Sequence, residues 1–195
     1  ITTYVNYLDR DAYYGWPEMV NDDKRRFKQY LRFKPDIKMK YVYYYDKANN
    51  KSLDDRYPTL SDRERMVKIA KNYDLDSNMF MPPEEIRKMI DLSGENNRFV
   101  RLVERESGEK TFLRIFDDAM LFPTEAEITA AFKRLVMNLP TVGFLQGHGE
   151  RDCVKEGDRD YNLFAWAKTY RYALINNGFD IVEVSLDKAL PEKLD

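Results

Sequence analysis

"IKMKYVYYYD", Ile37 to Asp46, carries four tyrosines and a valine within a run of ten residues. Side chains alternate between the two faces of a strand, so Tyr41, Tyr43 and Tyr45 share one face and Val42 and Tyr44 the other. Both faces carry bulky groups. That pattern predicts a strand inside a sheet covered on two sides, as in α/β proteins, rather than a half-exposed antiparallel ribbon.

Working outward, "ITTYVNYL" (Ile1–Leu8) is rich in β-branched and aromatic residues and reads as a first strand. The loop "DRDAYYGWP" follows. Pro17 suits the first turn of a helix, and Val20, Phe27, Tyr30 and Leu31 give that helix an apolar stripe that ends before Pro35-Asp36. Beyond Asp46, "KANNKSLDDRYPT" reads as a polar loop. Ser61 and Glu64 then form a capping box, and Met66, Ile69, Ala70 and Tyr73 recur at helical spacing. A short helix with Ile86, Met89 and Ile90 follows Pro82-Pro83. "RFVRLVERESGEKTFLRIF" predicts a hairpin turning at Ser107-Gly108. Thr124 and Glu127 form a second capping box, ahead of a helix that buries Ile128, Ala131, Phe132 and Leu135. Pro140 marks its end.

Residues 1–139 thus give a βαβ unit, a crossing helix and a ββα unit. This order predicts a thioredoxin-like α/β unit, because right-handed crossovers and the need to cover both sheet faces favour that layout. The loop that would hold a thioredoxin's two cysteines reads "DAYYGWPEM", so the redox chemistry is absent. Residues 140–195 begin a second unit. "TVGFLQ" is expected as a buried strand and "GHGERDCVKEGDRD" as a loop. Asp160 is expected to cap a helix with Leu163, Trp166, Ala167, Tyr170 and Leu174 on one face. Gly178 is placed as its left-handed C′ residue, with Phe179 folding back on Leu174. "FDIVEVSL" is the closing strand. A lone βαβ unit is a poor domain, so the expectation is the start of a longer, truncated Rossmann-like sheet.

Composition narrows the function. Lys and Arg number 32 against 34 Asp and Glu, a net charge of −2, which offers no field of one sign to hold nucleic acid. Cys153 is the only cysteine, which rules out an intramolecular disulfide, a CxxC redox pair and a cysteine-based zinc site. No apolar run approaches the roughly 18 residues that span a bilayer. No Walker A sequence is present, so the chain is not itself an ATPase.

The candidate site is "GHGE", Gly147-His148-Gly149-Glu150, which holds the only histidine. Ligands of open α/β sheets bind beyond the carboxyl ends of strands, where this tetrapeptide falls. His148 and Glu150 are suited to act as acid and base or to hold a cation. The plainer alternative is a structural or partner-binding turn, in which the glycines make a tight exit from the strand and His148 and Glu150 hydrogen-bond to the loop backbone and hold its shape, at a rim where a ligand or a partner can be contacted. It is favoured because Cys153 lies in a polar loop, no G-x-S-x-G elbow is present, and a zinc site lacks further ligands. No cofactor and no metal are expected. Asp117-Asp118 reads as solvated loop. Tyr14 and Trp16, in "YYGWP", are further candidates for partner contact, with simple packing as the alternative.

Four strings in order, "FVRLVERESGEKTFLRIF", "TEAEITAAFKRLV", "VGFLQGHGERD" and "YALINNGFDIVEVSL", resemble the GldG-like auxiliary component of gliding-motility type ABC transport systems. The resemblance implies an extracytoplasmic (periplasmic) domain of a bacterial inner-membrane protein, membrane-anchored through segments outside this chain. It also implies partnership with an ABC permease and ATPase. It further implies that the second unit continues into a flavodoxin-like or amidotransferase-like domain.

Overall fold

A computed structural model describes residues 1–192 and 194. The fold is mixed α/β. Strand β1 (Thr2–Asn6) pairs in parallel with β2 (Lys40–Tyr44), Thr2 opposite Lys40 and Asn6 opposite Tyr44. On its other side β1 runs antiparallel to β3 (Val100–Glu104), and β4 (Lys110–Arg114) completes a mixed sheet of order β2-β1-β3-β4. A separate two-stranded parallel sheet joins β5 (Thr141–Leu145) to β6 (Asp180–Val184). The chain divides into two compact units, residues 1–102 and 103–195. The division falls inside β3, whereas the sequence places a boundary at Pro140.

In the first unit the doubly covered strand is β1, not β2. Thr3, Val5 and Asn6 are fully buried, while β2 grades from exposed Lys40 to buried Tyr44. The tyrosines of β2 are bulky on both faces because the strand is the sheet's edge and its phenols reach polar partners. The Tyr41 hydroxyl donates to Asp23 (2.8 Å) and that of Tyr43 to the Gly15 carbonyl (2.9 Å). Main-chain bonds between Met81 and both Tyr43 and Tyr45 cover part of the outer edge. Helix α1 (Pro17–Phe33) starts at Pro17 as its sequence dictates and buries Val20, Asp23 and Phe27. The loop after Asp46 contains an unforeseen helix, α2 (Lys51–Arg56), capped by the Asn50 side chain, which accepts from the Leu53 N–H. The Ser61–Glu64 capping box opens α3 (Asp62–Asn72), which buries Met66 and Ala70. Helix α4 (Pro83–Met89) buries Ile86.

In the second unit α5 (Glu125–Arg134) follows the Thr124–Glu127 capping box, and its Ile128 and Ala131 are buried. The helix expected from Asp160 to Leu174 shrinks to α6 (Asn162–Ala165). Beyond it, asparagine side chains take the carbonyls that a continuing helix would use. The Asn176 amide donates to the Ala167 and Tyr170 carbonyls, and the Asn177 amide to those of Arg171 and Ala173. Such bonds compete with helix, and here they win. Leu163, Phe164 and Tyr170 are consequently exposed, and it is Ala165 and Arg171 that turn inward. Gly178 is left-handed (φ +83°), and the Phe179 N–H reaches the Leu174 carbonyl at 3.3 Å, the fold-back expected there, though it closes a 3-10 turn (Leu174–Asn176). Strand β5 is only half-buried and Gly143 is exposed. An apolar strand in a sheet of two has too few neighbours to be covered.

Candidate functional site

The GHGE turn leaves β5 at its carboxyl end. The Gln146 N–H continues the ladder to the Val184 carbonyl (2.8 Å), and the Gln146 side-chain amide holds the Arg151 carbonyl (3.1 Å), closing the loop. Gly147 and Gly149 have φ of +110° and +90°, a backbone that side chains with a Cβ rarely adopt, so the exit from the strand depends on them. Between them, the His148 N–H donates to Glu150 Oε2 at 2.6 Å, and His148 Nδ1 stands 3.7 Å from Glu150 Oε1. The N–H groups of His148 and of Glu150 itself hold the Glu150 carboxyl below the usual glutamate range. Both side chains keep access to solvent.

Next to the turn, the carboxyl end of β6 supplies a group that no motif in the sequence marks. Ser185 Oγ lies 3.9 Å from where a Cβ on Gly147 would sit, and it is engaged with Asp187, accepting from its N–H and donating to its carboxylate, each at 3.2 Å. Cys153 is fully buried despite its polar neighbours in sequence, with Sγ 3.8 Å from Glu183 Oε1. Burial pushes its thiol pKa up, so it is a poor thiolate nucleophile. Asp118, the second of the paired aspartates, has a structural partner. Arg171, almost fully buried, donates twice to Asp118, once to Glu127 and once to the Phe122 carbonyl, with its guanidinium 4.5 Å from the Phe116 ring centroid. Asp118 is the exposed loop residue its sequence suggested, and it also holds the buried Arg171. A groove of about 710 Å³ runs along α5, lined by Ala126, Thr129, Ala130, Lys133, Met137 and Phe179 among others, and includes neither His148 nor Glu150.

Tyr14 and Trp16 belong to the first unit, where they pack on their own neighbours. Trp16 lies 4.1 Å from the Tyr73 ring and Tyr14 3.8 Å from that of Tyr13; both are half-buried. Gly15 between them fits tightly, since a Cβ there would come within 2.4 Å of Val5 Cγ1.

The first unit also holds a polar knot at the carboxyl ends of β1 and β2. Asn6 is fully buried. Its amide donates to the Asp46 and Asn97 carbonyls, and its oxygen accepts from the Leu8 and Asp46 N–H groups. Asp46 is gripped by Arg87 through two bonds (2.6 and 2.8 Å), Asp11 by Arg98 (2.8 Å), and Asp9 accepts from the Phe99 N–H. Burial, then the nearby Asp11 charge, raises the Asp9 pKa to about 6. Nothing in the spacing of "YLDRDAY" signals this, because burial of an aspartate is settled by chain segments far away in sequence.

Compared with known proteins, the chain matches no family model, no curated protein and no solved structure.

Proposed function

We propose that the chain is a non-catalytic extracytoplasmic part of an ABC transport or gliding-motility complex, acting in protein interaction or ligand sensing beside a permease and an ATPase. The observation that carries this is the strand β5 running into the Gly147–Glu150 turn directly after the capped helix α5, the order in which the GldG-like strings occur. The finer fold reading is also part of the proposal. The β1-α1-β2 unit, the intervening α3 and the β3-β4-α5 unit support a thioredoxin-like layout, and the parallel β5–β6 pair supports the opening of a flavodoxin-like or amidotransferase-like sheet. Among the described residues no helix is long and apolar enough to cross a membrane, so an anchor would lie outside this chain.

A hydrolase-like enzyme is the second reading, and the 3.7 Å approach of His148 to Glu150 is what favours it. Affinity purification of the full-length protein from its own envelope tests the first. Recovery of the cognate permease and ATPase is expected. Their absence from a folded, membrane-located protein would remove the transport reading.

A further inference from the structure

The turn at the end of β5 has the form of a backbone anion cradle that is already filled. Residues that alternate between left-handed and ordinary φ direct their N–H groups to one side, and such concave nests bind anions. Gly147 and Gly149 are left-handed, and His148 between them is not. The group that sits on the His148 N–H is a carboxylate of the same loop, that of Glu150, at 2.6 Å, with the Glu150 N–H as its second backbone donor. The cradle lies beyond the carboxyl ends of a parallel strand pair, where α/β sheets take their ligands.

The surroundings leave Glu150 as the replaceable acid of this region. Asp152, the nearest other acid in sequence, is occupied by the N–H groups of Val154 (2.7 Å) and Lys155 (3.2 Å) and by the Lys155 ammonium. Asp187 is tied to Ser185, and Asp160 accepts from the Asp152 N–H. Among the described residues the Glu150 side chain, by contrast, is held within its own turn, and it is partly exposed, so it can swing out into water. The His148 side chain, within the turn, and the Ser185 hydroxyl, 3.9 Å from where a Cβ on Gly147 would sit, lie beside a replacement.

We propose that the Gly147–Glu150 turn binds the oxyanion end of a small ligand, a carboxylate or a phosphate group, and that Glu150 is an internal stand-in which the ligand displaces. This rests for its biological role on the ligand-sensing reading above. An internal competitor lowers apparent affinity by the fraction of time the site is open. Removing it therefore raises affinity.

The test is amide NMR of the 195-residue chain, titrated separately with inorganic phosphate and with acetate, with chloride at matched ionic strength as the control. In Glu150→Ala, saturable shifts at residues 147–150 and at the single imidazole are expected, with affinity about ten-fold tighter than in the unmodified chain. Glu150→Gln, which keeps the side chain's shape, is expected to fall between them. Adding Gly149→Ala to Glu150→Ala should abolish the gain, because the cradle is lost while the charge change remains. Tighter binding of phosphate points to a phosphate-bearing ligand, and tighter binding of acetate to a carboxylate. Equal affinity with and without Glu150, shifts reproduced by chloride, or a gain that survives Gly149→Ala would each overturn the proposal. Shifts without recovery of a permease would remove the transport role and leave the site; recovery of a permease without shifts would do the reverse.

Discussion

The Arg101 guanidinium donates to both carboxylate oxygens of Asp23, Nη2 to Oδ1 at 2.5 Å and Nε to Oδ2 at 3.3 Å, and neither side chain has more than a trace of solvent access. Phe27 and Phe99 flank the guanidinium, and the Tyr41 hydroxyl donates to Asp23 Oδ2. The pair ties α1 to β3 across the first unit. Removing one partner strands a buried charge. Asp23→Ala is expected to destabilise the protein by roughly 3–5 kcal/mol, whereas the double change Asp23→Leu with Arg101→Met should recover most of that loss. Urea unfolding of the three variants checks this. A double variant no better than the single one would show that the pair is needed for more than charge balance.

Asp9 predicts a pH dependence of stability. Its folded pKa of about 6 lies above the ordinary value of 3.8, because burial and Asp11 both disfavour the anion. The folded state therefore holds this proton more tightly than the unfolded state does. Its contribution is complete below about pH 4 and is lost as pH rises to 6. The shift corresponds to an order of 3 kcal/mol between those limits. Asp9→Asn should remove that part of the slope and make the protein relatively more stable at pH 7. Parallel slopes for the two proteins between pH 4 and 7 would refute it.

Gly15 is irreplaceable for reasons of space. A Cβ there would overlap Val5 Cγ1, and Val5 is fully buried in the central strand. Gly15→Ala is expected to cost about 1–3 kcal/mol by overpacking. If the clash is the cause, the same substitution should cost much less in a Val5→Ala background, since contacting sites couple. Additive losses would point to a different origin.

Cys153 should be chemically silent in the native protein. It is fully buried and its thiol pKa is raised by desolvation. A thiol reagent such as Ellman's is expected to label it only after denaturation. Rapid labelling of the folded chain at neutral pH would mean that the loop 147–160 opens readily.

The turn at Gly147–Glu150 makes a separate prediction for acid. The Glu150 pKa is depressed, mainly by the His148 N–H, so its hold on the turn is present above the ordinary glutamate range and is lost as pH falls through the lower value. The His148 amide resonance should report that titration, with a midpoint below that of a free glutamate. His148→Ala, at an exposed position, should leave global stability within about 0.5 kcal/mol. A midpoint at or above the free value would contradict the geometry of the turn.

Much of this protein was settled by local sequence. Pro17, the Ser61–Glu64 and Thr124–Glu127 boxes and the Ser107-Gly108 turn carry their reasons within a few residues, because capping and turn chemistry act over that range. The placing of His148 just past β5 is of the same kind. What the sequence could not determine depends on partners distant along the chain. Tyrosines on both faces of β2 look like the middle of a sheet, yet β2 is an edge, and Asp23 and Gly15 offer the Tyr41 and Tyr43 phenols polar partners from outside the strand. The apolar pattern after Asp160 looks helical, yet Asn176 and Asn177 divert its carbonyls and Asp118 and Glu127 draw Arg171 inward. Periodicity records what a segment would bury. Which neighbours cover it is set by segments distant along the chain, and at Asp9, Asp23 and Arg171 burial of charge follows from those neighbours alone.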